Sequence, residues 1–395
     1  MSTLMSQSAA VIKMNIQSLP RRLWMSLAMV FASAVVVAIL LAFLAMAKGF
    51  DATMKSAGSE DIAFFMRTGS AAELNSSASR EQVNLIENAP GIARDEQGPM
   101  VSPELYVIVD GVKKSTQNEA NIPLRGLDQR GVAMRNGFTL VAGRMFNPGT
   151  DELIVGAGIL REFDGFELGQ EIRFGKYKWK VVGVFSTGGN VFESELWADA
   201  KVIQNLYNRG SSYQSIRARM TSPDSLPLIA EYLKNEPRLT HEVQAESSYF
   251  AEQGKSLGYM AMFGWVISSI MALGALAGAL NTMYTSVSDR AMEIATLRAI
   301  GFSHFSAFIG TMAEAMTLAA IGSIVGSLAA FIFFDGLSAS TLGGSFTQVV
   351  FSFQLSPDLF IKGISMALII GFISGFFPAW RAARVPVIVA FQTAR

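Results

Sequence analysis

Between residues 256 and 288 the chain runs for 33 residues without a charged side chain. As a helix, that run would reach about 50 Å at 1.5 Å per residue, against a hydrocarbon core of about 30 Å. A stretch of this kind needs a bilayer around most of its length. Three further stretches can span: residues 23–47 with no charge, residues 304–334 with Glu314 alone, and residues 363–380. Composition agrees: 50% of the chain is hydrophobic and 16% is charged, where a soluble domain carries roughly 25%. The first stretch follows basic residues and ends in Ala45-Met46-Ala47, as a signal peptide would. Its 25 residues exceed a signal h-region of about 7–15, so it reads as a retained transmembrane helix.

Basic residues set the expected orientation. Lys13, Arg21 and Arg22 precede the first span, Arg290 and Arg298 lie between the second and third, and Arg381, Arg384 and Arg395 follow the fourth. Only Asp289 and Glu293 oppose them. Residues 1–22, the loop 289–303 and the tail 381–395 are therefore expected in the cytoplasm, with both termini inside. Residues 48–255, with 23 basic and 27 acidic side chains, are expected outside, and residues 335–362 form a short outer loop. The second span, 256–288, is expected to project from the bilayer as a stalk toward the outer domain. The fold class is an α-helical membrane protein with four transmembrane helices and a mixed α+β extracytoplasmic domain inserted between helices 1 and 2.

Within the inserted domain, Ser79-Arg80-Glu81-Gln82 reads as a capping box before Val83, Leu85 and Ile86. Residues 104–110, 177–185 and 214–220 read as strands; residues 199–208 and 224–235 read as helices. A turn over 166–170 feeds a strand pair around Gly175.

Several chemistries are excluded. Zero net charge and a pI near 6.8 speak against binding nucleic acid by bulk positive charge. No Cys is present, and His241 and His304 are the only histidines, so thiolate or multi-His metal centres are not expected. No His-Glu-x-x-His or nucleophile elbow occurs, and His241 reads as structural or surface-exposed. The carboxylates are scattered and read as mostly solvated. Gly156-Ala157-Gly158 has Arg161 where a dinucleotide loop needs its third Gly, and reads as a turn. Gly254-Lys255-Ser256 resembles the end of a phosphate loop, but Tyr249 occupies the position of the required first Gly. The chain is expected to bind neither cofactor nor metal.

Spans two, three and four each carry two glycines one turn apart: Gly274/Gly278, Gly322/Gly326 and Gly371/Gly375. Such pairs allow close helix approach; internal packing and a subunit interface both remain open. Glu314 is costly in a membrane and is a functional candidate by default. With no His or Lys beside it in the span, a structural role bonded to a neighbouring helix is favoured. In the loop 289–303, Ser288 can cap a short helix, Gly301 can end it and Ser303 can cap the next span. Met292, Leu297 and Ile300 would give that helix an apolar side suited to another protein's groove.

The sequence resembles the MacB/FtsX-type ABC transporter permeases, which include the LolC/LolE-like subunits. The resemblance rests on Arg290-x-x-Glu293-Ile294-Ala295-x-x-Arg298-Ala299-Ile300-Gly301, on Glu314 followed by Gly322 and Gly326, and on Pro378-Ala379-x-x-Ala382-Ala383-x-x-Pro386-x-x-Ala390. In the inserted domain Ala142-Gly143-Arg144-x-Phe146, Leu168-Gly169-Gln170 and Val181-Val182-Gly183-Val184 are similar to that family's periplasmic core. The resemblance implies a multi-pass subunit of a bacterial inner membrane, itself no enzyme. It implies a second permease copy and a separate ATPase dimer that holds ATP and Mg. A periplasmic adaptor, an outer-membrane channel and membrane lipid are further implied partners. The loop helix would be the coupling element, with Arg290, Glu293, Leu297, Arg298 and Gly301 its ATPase-coupling residues. Three uses remain open: export of a periplasmic substrate, extraction of lipoprotein or lipid, and regulation of a periplasmic partner.

Overall fold

A computed structural model describes residues 2–255, 258–342 and 347–384. The chain divides into two units. One comprises Met1–Ala47, Met260–Gly336 and Gln354–Arg395; the other comprises Lys48–Tyr259 and Leu337–Phe353.

The first unit is helical. Helix α1 (Ser2–Ser18) is followed by a 3-10 turn at Leu19–Arg22, where Pro20 supplies a fixed φ at the start, and then by α2 (Leu23–Lys55). After the inserted domain come α9 (Gly258–Asp289), α10 (Ala291–Ala299), α11 (His304–Phe334) and α12 (Pro357–Arg384). Helices α2, α9, α11 and α12 are apolar and long enough to span a membrane. Excess length is shared by all four, at 33, 32, 31 and 28 residues, so it does not single out the second span. The first span runs on from Ala47 to Lys55, and the fourth extends both ways beyond 363–380. Helix α8 (Glu246–Lys255) precedes α9, with residues 256–257 outside the described set. Pro386 and Ala390 of the terminal motif also lie outside it.

The paired glycines separate into two kinds. A Cβ on Gly322 would lie 2.7 Å from Ser33 Cβ, and one on Gly326 would lie 2.9 Å from Ala34 Cα. Likewise Gly371 faces Ala319 at 2.5 Å and Gly375 faces Ala315 at 2.6 Å. These four set the α2–α11 and α11–α12 contacts, where backbones approach because no side chain intervenes. Gly274 and Gly278 on α9 have nothing within 4 Å.

The second unit is the mixed domain. Its helices α3 (Arg80–Glu87), α4 (Gln129–Ala133), α5 (Ala157–Glu162), α6 (Ala200–Leu206) and α7 (Leu226–Asn235) are short. The strands are β1 (Ile62–Arg67), β2 (Arg94–Asp95), β3 (Gly98–Pro99), β4 (Val101–Val112), β5 (Glu119–Leu127), β6 (Thr139–Gly143), β7 (Glu152–Gly156), β8 (Glu171–Phe174), β9 (Tyr177–Ser186), β10 (Leu196–Asp199), β11 (Ser215–Arg219) and β12 (His241–Ala245). The main sheet runs β12-β1-β11-β4-β5-β10-β7-β9-β6, with β8 paired to β9. Its core includes Phe65, Leu105, Leu124, Trp179 and Ile216, all buried. The expected capping box at Ser79 forms with Gln82 in both directions. Asp199 caps α6, and Gly175 turns the β8–β9 hairpin with φ +59°. Gly156 does end a strand and open a helix, but the main chain of Glu193 fills the space at Gly156 and Gly158. Gly254 lies inside α8 against Asp51 and Met54, so the Gly254-Lys255 pair is helical and not a phosphate loop.

The loop 335–362 holds more than expected. Strands β13 (Ser338–Leu342) and β14 (Gln348–Ser352) form a hairpin that belongs to this unit. Val350 N donates to Ser194 Oγ at 2.8 Å, and the Tyr106 and Thr347 hydroxyls lie 2.9 Å apart.

The carboxylates are not all solvated. Glu73, Glu104, Glu195 and Glu246 are buried with Arg125, Arg135 and Arg217. Arg125 donates to both oxygens of Glu195 at 2.7 Å and to Glu73 at 2.7 Å. Arg217 reaches Glu104 at 2.6 Å and Glu246 at 2.7 Å, and Arg135 reaches Glu104 at 2.6 Å. Aromatic faces close the cluster: the Arg135 guanidinium lies 4.4 Å from the Phe192 ring centre and Arg217 lies 4.5 Å from that of Phe64. Burial pushes the Glu73 carboxyl up, but Arg125 and Arg217 outweigh it and hold it well below the usual range. Glu104 behaves alike: burial raises it and the three arginines lower it further. His241, on the outermost strand, is buried, and burial pushes its pKa down.

Two predictions follow from this packing. Gly326→Leu forces α2 and α11 apart and should destabilise the full chain in detergent by about 1–3 kcal/mol. Gly274→Leu, on an open face, should leave the thermal melt within about 0.5 kcal/mol of the parent. Equal shifts for the two would contradict the packing. The pH dependence has a definite sign. Glu73, Glu104 and His241 all bind protons more weakly folded than unfolded, so their stabilisation is complete at high pH and is lost on acidification. Melting temperature should decline as pH drops below 6.5 with His241, and more steeply below 4.5 with the carboxylates. Glu73→Gln should lower the neutral-pH melt and flatten the acid limb; an unchanged acid limb would refute the assignment.

Candidate functional site

Arg290 follows α9 and stands at the start of α10, whose Ile294 N–H bonds to its carbonyl at 2.9 Å. Ser288 takes no part in the cap. The Arg290 side chain turns inward, only 4% exposed, and donates to Glu314 Oε2 at 3.0 Å from Nη1. Its Nε reaches Glu293 Oε2 at 3.1 Å, and Nη2 donates to Asn15 Oδ1 of α1. Ser286 donates to the other Glu314 oxygen at 3.3 Å. Arg22 in turn donates to the Ser286 carbonyl and hydroxyl oxygens, each at 3.0 Å. A planar guanidinium with several donors suits such a hub better than an ammonium would.

Glu314 is thus paired. The expected structural role fits its bond to Ser286, but its main partner is Arg290, one of the residues expected to face an ATPase. Asn15 and Ser286 were not singled out by the sequence, and Arg22 was read only as one of the basic residues that orient the first span.

Helix α10 buries Ile294 and Ala295, with Ile294 packed beside Val287, Ala382 and Ala307. Leu297 and Arg298 are half-buried, and the Arg298 guanidinium lies 3.2 Å from His304 Nε2. Met292, Glu293, Thr296, Ala299 and Ile300 form the exposed face, with Ile300 68% exposed. Gly301 ends the helix at φ +102°, where Phe302 N–H bonds the Leu297 carbonyl and Gly301 N–H bonds that of Arg298, both at 3.1 Å. This is the paired-bond stop that a left-handed glycine permits. Ser303 then caps α11 through Ser306 N–H at 3.1 Å, and its own N–H donates to Gln7 of α1 at 3.2 Å. The docking residues expected at Glu293 and Gly301 therefore border the open face, whereas Arg290 is held beneath it. Of the packing residues, Glu314 joins the Arg290 cluster, Gly322, Gly326, Gly371 and Gly375 hold helix contacts, and Gly274 and Gly278 stay open.

Among the described residues no group of three or more His, Cys, Asp or Glu side chains could hold a metal ion. The arrangement offers an exposed surface that is apolar at Met292 and Ile300 and acidic at Glu293.

The family model of the MacB-like periplasmic core domain matches residues 25–236, and that of the FtsX-like permease C-terminal region matches residues 265–387. An uncharacterised ABC transporter permease of Methanocaldococcus jannaschii is 22% identical over 315 residues, 78% of this chain and 77% of that protein. A macrolide export ATP-binding/permease protein MacB of Paracoccus denitrificans is 24% identical over 333 residues, 77% of this chain but 47% of that protein. Thus the chain spans about half the length of that relative. The crystal structure of the periplasmic region of MacB from Actinobacillus actinomycetemcomitans superposes with a TM-score of 0.38 at 15% identity, covering 49% of this chain and 92% of that one. The order of matched regions follows the inserted domain and the helices after it, and the chain belongs to the MacB/FtsX-type ABC transporter permeases.

Proposed function

We propose that the chain is the membrane subunit of a mechanotransmitting ABC transporter, coupling ATP hydrolysis in a separate ATPase to a change in the inserted domain that drives export of a periplasmic substrate. The observation that carries this reading is the open face of α10, seated on a buried ion-pair hub. A docking surface must be exposed, yet its base must be stiff if a push is to travel, and α10 meets both requirements. Met292 and Ile300 supply apolar anchors, and Glu293 supplies a charge for a basic partner. ATP and Mg belong to the partner chain. The basic residues beside the spans support an inner-membrane protein with both termini and α10 in the cytoplasm. The open strip Phe263, Ile267, Gly274, Gly278 on α9 supports a second permease copy there. Relatives named for macrolide and pyoverdine export favour export over the lipoprotein-extracting or purely regulatory uses. A periplasmic adaptor and an outer-membrane channel complete the proposed assembly.

The docking face is tested by co-purification with the ATPase in mild detergent and by its turnover. Ile300→Asp should weaken ATPase capture by at least about fivefold, as loss of an apolar interface anchor costs more than about 1 kcal/mol, while the melt stays unchanged. If Ile300→Asp and Glu293→Ala both leave capture and turnover intact, docking on α10 is wrong. The hub is tested separately. Arg290→Ala strands Glu314 and should destabilise the chain by about 3–5 kcal/mol, whereas the paired replacement Arg290→Met with Glu314→Leu should recover most of that loss. A double variant as unstable as the single one would show that the two residues do not act as a pair.

A further inference from the structure

Helices α9 and α12 leave a cleft of about 350 Å³ between them, near the ends that adjoin the inserted segments. Trp265, Ala272 and Leu276 line it on α9, and Lys362, Ile369 and Ile373 line it on α12. On each helix the lining covers 11 residue steps, about 16 Å at 1.5 Å per residue. That is close to half of the roughly 30 Å hydrocarbon core, the depth of one leaflet. The lining is mainly apolar; Lys362 and the hydroxyls of Ser269 and Ser365 are its polar members. Ser365, which also borders it, already bonds the carbonyls of Ile361 and Lys362 at 2.7 and 3.0 Å. Lys362 on α12 and Trp265 on α9 are each the first lining residue of their helix, and Lys362 is half-exposed, with Asp358 no closer than 4.0 Å. An exposed pair at that distance holds its lysine weakly. Amphipathic Trp and snorkelling Lys are the side chains that sit at headgroup level.

The geometry points to a phospholipid site: one acyl chain of an anionic phospholipid lies in the α9–α12 cleft and Lys362 holds its phosphate. Charge at one end and a mainly apolar lining one leaflet deep match that ligand at both ends. A second copy of the chain is a poorer fit. At 3.6 residues per turn the open Gly274/Gly278 face lies on the opposite side of α9 from the cleft. The site depends on the spans and not on ATPase docking, so the two can fail independently.

The test uses the full chain in mild detergent with added phosphatidylglycerol or phosphatidylcholine, read by native mass spectrometry. The wild type should retain phosphatidylglycerol over phosphatidylcholine by about fivefold, the preference one basic residue provides near an anionic headgroup. Lys362→Gln should abolish the preference while lipid still binds. Ala272→Phe, which fills the cleft, should lose both lipids, with helix content checked by circular dichroism. Should that variant misfold, Lys362→Gln decides alone. A photocrosslinker at Leu276 should label phospholipid acyl chains. Equal retention of the two lipids by the wild type, selectivity unchanged in Lys362→Gln, or crosslinks running to a second copy or to an acylated protein would overturn the site.

Discussion

Arg290 and Glu314 meet at 3.0 Å with both side chains almost wholly out of water. Neither could occupy that place alone, since an isolated ion in a low-dielectric surrounding costs several kcal/mol and a single lost partner leaves the other stranded. The pair therefore ties three pieces together. Glu314 belongs to α11, Arg290 to the turn before α10, and Asn15 to α1. Gly301 ends α10 in the left-handed region and Ser303 restarts the chain as α11, so the short helix is clamped at both ends. One side of that helix packs inward through Ile294 and Ala295, and the other leaves Met292, Glu293, Thr296, Ala299 and Ile300 exposed.

The same physics recurs in the inserted domain on a larger scale. Three arginines and four glutamates are interleaved there, so that most ions touch more than one of the opposite sign. Strands β4, β5 and β11 each contribute a member, and Glu246 brings in the start of α8. A bidentate arginine adds geometric specificity to the packing, because both of its bonds must find their oxygens. The cluster fixes how the central strands and α8 are set against one another.

Much of this was legible in the sequence because it depends on local pattern. Uncharged runs revealed the spans, and α11 starts at His304 because Ser303, expected as its cap, accepts from Ser306 N–H. The Ser79 capping box, the Asp199 cap and the Gly301 stop are also signals within five residues. What escaped depends on pairing across distance. Glu73 and Arg125 lie 52 positions apart, and Arg290 and Asn15 lie 275 apart. A glutamate in a polar stretch looks the same whether water or an arginine will surround it. The glycine pairs show the limit from the other side. Gly274/Gly278 and Gly322/Gly326 have the same spacing, and only the neighbour that arrives distinguishes them.

The hairpin Ser338–Ser352 joins the domain from a part of the chain made after two more spans have been threaded. A ribosome emits residues 48–259 long before it emits Val350, yet Ser194 and Tyr106 wait for partners on that hairpin. Completion of the inserted domain thereby waits until the chain has been made beyond α11, as far as Ser352. A chain that stops short of the hairpin leaves Ser194 and Tyr106 without these partners, and the inserted domain is missing its last two strands.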